Sequence, residues 1–532
     1  MKKNCKKSDR AMSRRRWLGR CGMAGLGTLV QPAGWLVGQA PGVIRREGVR
    51  PVAAQGVASG DVEHDRAIIW SRCDRPAQMV VRWRTSERGE VRGEVIGPAV
   101  HEGTDFTGKV DVRGLPAGQR IVYEVQFQDL RDLKNWSEPA VGSFVTPASP
   151  DGPARPVRLG FTGDVCGQGW GIDPARGGMR TFATMHQHEL DLMVHLGDTI
   201  YADNPIEPEV RLEDGSLWRN LTTPEKSHVA QTLDDFRGCY RYNLLDEHLR
   251  RFLASTSLLV IWDDHETHNN WYPQGRVEDA RYQEQSSALL AARARTAFFE
   301  YQPIREHPRD RQRIYRAQRF GPLVEIFAWD MRSYRGPNSA NVQTVLDDES
   351  AILGRRQLAW LKRRLAASTA TWKVIASDMP LGLVVRDRHG CEAVANGDGG
   401  PPLGRELEIA DLLRFLRDRR IANVVFITAD VHYAAAHHYD PARARFAEFL
   451  PFWEFVAGPA HAGTFGPGQL DPTFGPEAKF IGIPRGMKPN RPPSEGLQFF
   501  GTLDVDAASR VLTARLWNAA GRELFRQEIV PV

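Results

Sequence analysis

The sequence predicts an α/β protein that is preceded by a smaller, all-β segment. Short apolar runs separated by turn residues fill about Gln55–Thr146, whereas apolar strands alternate with helical stretches after residue 156. The Pro- and Gly-rich stretch T-P-A-S-P-D-G-P-A-R-P (Thr146–Pro156) separates the two patterns. We therefore expect a β domain at 55–148 and an α/β domain at 157–532.

Length and charge limit the classes of protein to which the chain can belong. At 532 residues it is too long for one ordinary hydrophobic core. It contains no run of about 18 apolar residues, so we expect no membrane-spanning helix. Nine Lys/Arg and one Asp give residues 1–40 a charge of +8, which leaves −3 of the total of +5 on the remainder. This distribution argues against a nucleic-acid surface.

Residues 1–54 are predicted to be an export signal and a linker. A basic start leads to S-R-R-R-W-L-G (Ser13–Gly19), and an apolar stretch begins at Met23. This order resembles a twin-arginine translocation signal, which implies the twin-arginine translocase as a partner and a periplasmic or secreted location. The alternative interpretation is an unstructured basic tail. The four cysteines after the signal show no paired spacing, so no disulfide framework is expected.

The β segment has the spacing of a small sandwich. Its strand-like runs are A-I-I-W (Ala67–Trp70), M-V-V-R-W-R (Met79–Arg84) and I-V-Y-E-V-Q-F (Ile121–Phe127). Short strands at this spacing predict a β-sandwich of the fibronectin type III kind. No cluster of reactive side chains lies in it, so we interpret it as a packing or accessory domain.

Each predicted strand of the α/β region ends in polar, ligand-type side chains. The five strands are Val157–Phe161, Asp191–Leu196, Ser257–Trp262, Trp372–Pro380 and Ala422–Thr428. They are followed or ended by G-D-V-C, G-D-T-I-Y-A-D, D-D-H-E, S-D-M-P and A-D-V-H-Y, and a helix is predicted over Arg180–Glu189. One such aspartate is most simply a turn residue, but five in one α/β region predict a single site at the strand ends.

The residue types indicate metal ions. Carboxylates bind hard cations and can bridge two of them, while imidazole and phenolate suit iron or zinc. Two ions roughly 3.5–4 Å apart can hold a phosphoryl group and activate a water. Gly163 and Gly197, each directly before a key aspartate, would let the backbone turn sharply.

The motifs, taken in order, resemble those of the alkaline phosphatase D (PhoD-like) family of metallophosphatases. They are G-D-V-C, G-D-T-I-Y, W-D-D-H-E-T-H-N-N-W, W-D-M-R-S-Y-R and A-D-V-H, and the resemblance covers nearly the whole chain. It implies a four-layer αββα sandwich, phosphomonoesterase or phosphodiesterase activity, and an iron site beside calcium.

The resemblance also assigns residues. For the first ion it implies Asp164, Asp198, Tyr201 and His432, and for the second Asp198 as a bridge, Asp264, Asp430 and, with weaker support, Asp378. It assigns His265 as the acid that protonates the leaving group. Cys166 stands two residues after the position where relatives carry a cysteine, so its role as a ligand stays open. Asp263 and Asn270 would either orient ligands or serve in helix capping and hydrogen bonding, and Arg332 would bind a phosphate oxygen or pair with Asp330.

The implied ligand sets then predict the metals. A phenolate favours ferric iron (Fe3+), while an oxygen-only set of high charge favours calcium over zinc, with another divalent metal as the alternative. We expect phosphate ester hydrolysis, with Pro205–Thr232 as a polar loop at the mouth of the site. The alternatives are a phosphodiesterase or phospholipase D-like enzyme acting on lipid or cell-wall phosphodiesters, and a non-catalytic binding protein on the same fold.

Overall fold

The structure, a computed structural model, describes residues 50–86, 91–388 and 390–532. The predicted export signal at Ser13–Gly19 lies outside these residues. Besides one short 3-10 helix (Glu102–Thr104), the N-terminal region forms seven strands, which are β1 (Val57–Gly60), β2 (Arg66–Arg72), β3 (Ala77–Thr85), β4 (Arg92–Val100), β5 (Thr107–Arg113), β6 (Arg120–Asp129) and β7 (Ala140–Val145). The three strand-like runs predicted in this region lie inside β2, β3 and β6.

The larger region alternates strands with helices. Its strands are β8 (Val157–Thr162), β9 (Leu192–Leu196), β10 (Glu209–Arg211), β11 (Leu217–Arg219), β12 (Ser257–Ile261), β13 (Arg316–Phe320), β14 (Val324–Ala328), β15 (Trp372–Ala376), β16 (Leu383–Val384), β17 (Arg386–Asp387), β18 (Gly390–Cys391), β19 (Val424–Thr428), β20 (Ala435–Tyr439), β21 (Phe452–Val456), β22 (Gln469–Leu470), β23 (Pro476–Ile481), β24 (Phe499–Val505), β25 (Leu512–Asn518) and β26 (Glu523–Ile529). Its helices are α1 (Arg180–His186), α2 (Leu233–Asn243), α3 (Glu247–Ser255), α4 (Ser287–Tyr301), α5 (Gly354–Ala367) and α6 (Glu406–Asp418).

Two large mixed sheets carry the fold. The first sheet has the strand order β26-β25-β24-β8-β9-β12-β1-β2-β5, and the second has β13-β14-β15-β19-β21-β20-β23. Strands β8, β9 and β12 run parallel to one another in the first sheet, as do β14, β15, β19 and β21 in the second. Every residue of β9 and β12 is buried, as expected for parallel strands that are covered on both faces.

Three hydrophobic clusters divide the larger region into four layers. Inward side chains of the two sheets pack against each other, as Phe161 and Val194 do with residues of β14 and β19. The opposite face of the first sheet packs against α1 to α4, and the opposite face of the second packs against α5 and α6. The order helix, sheet, sheet, helix confirms the predicted four-layer αββα sandwich.

The N-terminal region is sandwich-like, as predicted, but it shares a sheet with the larger region. Strands β4-β3-β6-β7 form a separate antiparallel sheet, and its inward side chains share one hydrophobic cluster with β1, β2 and β5. Those three strands extend the first sheet, because β1 pairs in parallel with β12, with Gly60 opposite Leu258. The boundaries of the two predicted domains therefore stay a prediction, since hydrogen bonding crosses them.

Backbone conformation explains where some elements end. The helix predicted over Arg180–Glu189 stops at His186, and Glu189 adopts a left-handed conformation with φ 49°. The strand predicted over Ala422–Thr428 begins only at Val424, because Asn423 is left-handed with φ 58°. In the described part of the chain, no helix is long and apolar enough to cross a membrane.

Candidate metal centre

Five parallel strands bring the predicted ligands to one edge of the sandwich. Asp164, Asp198 and Asp264 follow β8, β9 and β12 of the first sheet, whereas Asp378 and Asp430 follow β15 and β19 of the second. Neighbouring parallel strands end at the same edge of their sheet, and the two sheets pack face to face. The aspartates therefore approach one another from both sheets.

The backbone turns sharply where these strands end. Asp164, Asp198, Asp430 and His432 all lie in the left-handed region, with φ of 64°, 52°, 65° and 59°. Non-glycine residues rarely adopt this conformation, and those that do cluster at functional sites. Aspartate tolerates it better than bulky residues do, which helps to explain the residue type at these turns.

The two glycines before key aspartates act in different ways. Gly197 has φ 102° and supplies the turn that the sequence predicted. The expectation for Gly163 is wrong, because its φ is not positive. A Cβ at Gly163 would lie 2.7 Å from the Cβ of Ala429, so this glycine allows the ends of β8 and β19 to approach each other.

The first group of ligand atoms consists of Asp164, Asp198 and His432, whose oxygen and nitrogen atoms lie within 4.8 Å of one another. His432 Nε2 is 3.7 Å from Asp164 Oδ1 and 2.6 Å from the hydroxyl of Tyr201. His432 Nδ1 is 2.5 Å from the carbonyl oxygen of Gly463 and donates to it. This bond leaves the lone pair of Nε2 directed into the group, as a metal ligand requires.

The second group consists of Asp263, Asp264 and Asp430, and a third group of Asp198, Asp264 and His265 joins it to the first. Because Asp198 and Asp264 each belong to two groups, the three groups overlap. The side chains of Asp164, Asp198 and Asp264 are at most 2% exposed, whereas His265 is 9% exposed and Asp430 is partly exposed. The site is therefore reached from the side of His265 and Asp430.

The donor atoms fit bound cations. Among the described residues, the buried carboxylate oxygens without a hydrogen-bond partner belong to four aspartates, all of them in this site: Asp164 Oδ2, Asp263 Oδ2, Asp264 Oδ1 and Asp378 Oδ2. Such atoms are costly to bury unless something pairs with them. Gly458 also leaves space beside Asp164, since a Cβ there would overlap Asp164 Oδ2.

Burial and mutual repulsion disfavour the charged forms of several aspartates. Burial raises the pKa of Asp164 to about 8 and holds the pKa values of Asp198 and Asp430 well above their usual range, with the Asp264 carboxylate adding to each. Burial acts in the same direction on Asp264, but the charges of His265 and Arg332 lower its pKa to about 2. A cation bound among the carboxylates would favour their ionised forms.

Sequence reasoning missed Asp203, the last residue of G-D-T-I-Y-A-D. Asp203 Oδ1 lies 2.7 Å from His265 Nδ1, and Asp203 Oδ2 accepts the backbone N–H of Asn269 at 3.0 Å. Burial opposes the charging of His265, but Asp203, Asp264 and Asp198 raise its pKa well above the ordinary value. The pair holds His265 with Nε2 directed toward Asp264 Oδ1, 4.0 Å away.

Glu266, directly after His265, was also missed. It is fully buried and accepts backbone N–H groups of Asp198, Thr199 and Asp263, at 3.1, 2.7 and 2.8 Å. One carboxylate therefore fixes the turns after both β9 and β12. Its position in W-D-D-H-E was the available signal, but its role depends on contacts 67 or 68 residues away in the chain.

Of the five residues predicted with weaker support, Asp263 lies in the second group and the other four lie in different surroundings. Cys166 is buried in the apolar cluster beneath α1 to α4 and belongs to none of the three groups. Asp378 lies beside the second group, and burial raises its pKa to about 7. The backbone N–H of Asn270 donates to Asp264 Oδ2 at 2.5 Å. Arg332 pairs through its side chain with Asp263 rather than with Asp330, which accepts only its backbone N–H.

The predicted loop Pro205–Thr232 contains structure of its own. Strands β10 and β11 form an antiparallel hairpin within it, and Trp218 packs edge-on against Trp170 at 5.9 Å between ring centroids. Lys226 is buried and donates to the backbone carbonyl oxygens of Tyr201 and Asn204. The segment thus supports the turn that carries Tyr201.

The fold and this aspartate- and histidine-rich centre together define a protein of the metallophosphatase class. A family model described as "PhoD-like phosphatase" matches residues 160–516, and "PhoD-like phosphatase, N-terminal domain" matches residues 38–148. The chain belongs to the PhoD-like phosphatase family.

Individual relatives agree with this assignment. The chain is 28% identical over 417 residues to alkaline phosphatase D of Bacillus subtilis (strain 168), a match that covers 72% of this chain and 65% of the relative, just under two thirds of its length. A solved structure of PhoD superposes with a TM-score of 0.65 at 20% identity, covering 89% of this chain and 92% of that one. A purple acid phosphatase, PPD1 from yellow lupin (Lupinus luteus) seeds, superposes with a TM-score of 0.55 at 12% identity, covering 90% and 74%. The two superpositions support the fold.

Proposed function

We propose that the protein is a metal-dependent phosphate ester hydrolase with two cations in its active site. The observation that carries the proposal is the overlap of three groups of ligand atoms through Asp198 and Asp264. Shared carboxylates are the means by which proteins hold two cations close together. When bound, the two cations would supply positive charge to the phosphoryl oxygens and lower the pKa of the attacking water.

Asp164, Asp198, Tyr201 and His432 would hold the first cation. The phenol oxygen of Tyr201 and Nε2 of His432 lie 2.6 Å apart, so both atoms already converge on the carboxylates. Burial keeps the pKa of the Tyr201 phenol well above its usual range, and a highly charged cation is the group that would overcome this effect. We therefore propose ferric iron at this position.

Oxygen atoms alone would hold the second cation. Asp198, Asp264 and Asp430 supply them, with Asp378 at the margin, and the geometry adds Asp263 to the set that the sequence suggested. Many negatively charged oxygens in one place suit calcium, which accepts six to eight oxygen ligands in flexible geometry. Cys166 is left out of both sets because its thiol faces apolar side chains.

His265 would protonate the oxygen of the leaving group. Its ring is fixed by Asp203 on one side and lies 4.2 Å from the ring of Tyr201, measured between centroids. The carboxylates around it favour the protonated imidazolium, so Nε2 carries a proton to give. Its partial exposure places this proton on the side from which an ester would approach.

Turnover of phosphate esters by metal-analysed protein tests the proposal. Wild-type protein should hydrolyse aryl phosphate monoesters and lose this activity on chelation, and Asp198→Asn should lose both activity and bound metal. Asp173→Asn is a matched control, because Asp173 is equally buried but caps a turn outside the site. Hydrolysis of diesters alone would favour the phosphodiesterase alternative, and metal binding without turnover of either ester class would leave a binding protein.

We also propose that the chain is exported through the twin-arginine translocase to the periplasm or beyond. The support is the stretch Ser13–Gly19 and the apolar residues that follow it. A centre that needs iron fits this route, since the twin-arginine pathway carries proteins that have already folded.

A further inference from the structure

A chain of buried charges lies directly behind the second group of ligand atoms. Arg332 Nε donates to Asp263 Oδ1 at 2.5 Å, and its Nη1 donates to Glu392 Oε1. Arg335 Nη1 donates to the same Glu392 oxygen at 2.9 Å, and its Nη2 donates to the Glu392 carbonyl oxygen. Asp378 Oδ2 is 3.7 Å from Arg332 Nε. All of these side chains are at most 1% exposed.

This geometry favours a role for Arg332 toward its carboxylate partners. Two of its three nitrogen atoms, Nε and Nη1, donate to carboxylates, the third, Nη2, has no hydrogen-bond partner, and the side chain is 0% exposed. A phosphate ester would have to enter the buried interior to reach Nη2. An arginine held in this way acts on its carboxylate partners. Its planar guanidinium donates hydrogen bonds in fixed directions, which orients the carboxylates, and its positive charge favours their ionised form.

The guanidinium of Arg332 fixes the orientation of the Asp263 carboxylate. Its Oδ1 accepts from Arg332 and its Oδ2 has no hydrogen-bond partner, while one of its two oxygens lies within 4.8 Å of ligand atoms of Asp264 and Asp430. If Asp263 rotated about χ2, the two oxygens would exchange, and the one that faces the group would no longer be fixed. Glu392 limits that rotation from the far side, because it holds Arg332 and is itself held by Arg335.

We propose that Arg332 and Glu392 are positioning residues that pre-organise Asp263 for the second cation. The inference rests on the two-cation function proposed above and concerns only the site of the second cation, which oxygen atoms alone would hold. Sequence analysis suggested Arg332 as a phosphate ligand or a partner of Asp330, and it gave Glu392 no role. Outer residues that orient metal ligands commonly change metal affinity about 10- to 100-fold when they are replaced.

The test uses Arg332→Lys and Glu392→Gln in the full-length protein, with calcium as the probe. Lysine keeps the charge but loses the planar guanidinium, and glutamine keeps the shape but loses the charge. Chelated protein is titrated with CaCl₂ while bound calcium is counted by equilibrium dialysis and elemental analysis, and KM for an aryl phosphate is measured at saturating calcium. We expect half-saturation by calcium to rise at least about 10-fold in both variants, with KM changed less than about 2-fold.

Arg405→Lys is the matched control. Arg405 is also 0% exposed in the same part of the fold, but it donates to backbone carbonyl oxygens, at 3.0 Å from Cys391 and 2.6 Å from Pro337. It should lose as much thermal stability as Arg332→Lys and keep wild-type calcium binding. Calcium binding weakened equally in all three variants would show a general effect of buried charge and overturn the inference.

Two further results would also overturn it. Unchanged calcium half-saturation in both variants would remove the positioning role, and a raised KM with unchanged calcium binding would instead make Arg332 a substrate ligand. Failure of the proposed function is distinguishable, because wild-type protein would then bind no metal or turn over no ester, whatever the variants do. If Arg332→Lys does not fold, Glu392→Gln decides alone, since glutamine keeps the shape of the side chain but removes the charge that holds both arginines.

Discussion

Replacing Asp203 by asparagine tests the leaving-group acid through its partner. Asp203 Oδ1 is 2.7 Å from His265 Nδ1, and both side chains are at least 90% buried. At an effective dielectric constant of about 20, opposite charges about 4 Å apart attract by about 4 kcal/mol. Removing that attraction corresponds to a factor of about 10³ in the acid dissociation constant of His265.

The direction of the effect on pH dependence follows from this loss. In the proposed mechanism the imidazolium is the active form, and it is present below the folded-state pKa of His265, which the carboxylates raise. In Asp203→Asn that pKa falls, so the alkaline limb of the kcat profile should move about one to three pH units lower. The smaller value applies if Asp264 and Asp198 compensate for most of the lost charge.

The assay measures kcat for a series of aryl and alkyl phosphates whose leaving groups differ in pKa. The pH lies above the shifted alkaline limb of Asp203→Asn. Positioned acids contribute about 10²–10⁴-fold, mostly for poor leaving groups. We expect kcat to fall about 10²-fold for alkyl phosphates and less than about 5-fold for nitrophenyl phosphate, with His265→Ala showing the same pattern. Asp246→Asn is the control, because Asp246 is a buried helix cap without contact to His265.

One result would refute the reasoning. If Asp203→Asn lowers kcat equally for every leaving group and leaves the alkaline limb in place, Asp203 only supports the fold. His265 would also lose its assignment as the acid if His265→Ala shows no dependence on the leaving group.

Three other changes test separate parts of the centre. Gly458→Ala should lower bound iron at least about 10-fold, because the new Cβ would overlap Asp164 Oδ2. Gly466→Ala should bind iron normally, because its Cβ would make only an ordinary contact, 4.0 Å from the carbonyl oxygen of Met487, and equal iron in both variants would contradict the fit. Tyr201→Phe should abolish the visible phenolate-to-iron absorption band while a folded protein remains, and a band that persists would move iron away from Tyr201. Changing Arg14–Arg16 to lysines should stop export of a reporter fused to residues 1–60, and continued export would exclude the twin-arginine route.

Much of the centre could be predicted because buried parallel strands leave a clear pattern in the sequence. In β9 and β12 every residue is buried, so a mostly apolar run stops where the ligands begin. Asp198 and Asp264 stand out for that reason. The four-layer arrangement needed the resemblance of the motifs, since apolar runs do not show which strands share a sheet.

The residues that sequence analysis missed act through distant partners. Asp203 gains its role only when His265, 62 residues later, folds against it. Glu392 follows a strand of two residues, β18, with no apolar run before it, and its partner Arg332 lies 60 residues earlier. The pairing of β1 with β12 could not be predicted either, because the sequence of a strand does not show which other strand it pairs with.

The strand order of the first sheet also limits when the centre can form during synthesis. Strand β8, which leads into Asp164, lies between β9 and β24, and its register pairs Phe161 with Gly501. Most of the chain must therefore leave the ribosome before β8 has both neighbours, and contacts this distant in sequence form slowly. A nascent chain that ends before Phe499 would expose an unpaired edge beside the first cation's ligands, where another chain could add a strand. The first sheet therefore cannot be completed until its C-terminal strands have been synthesised.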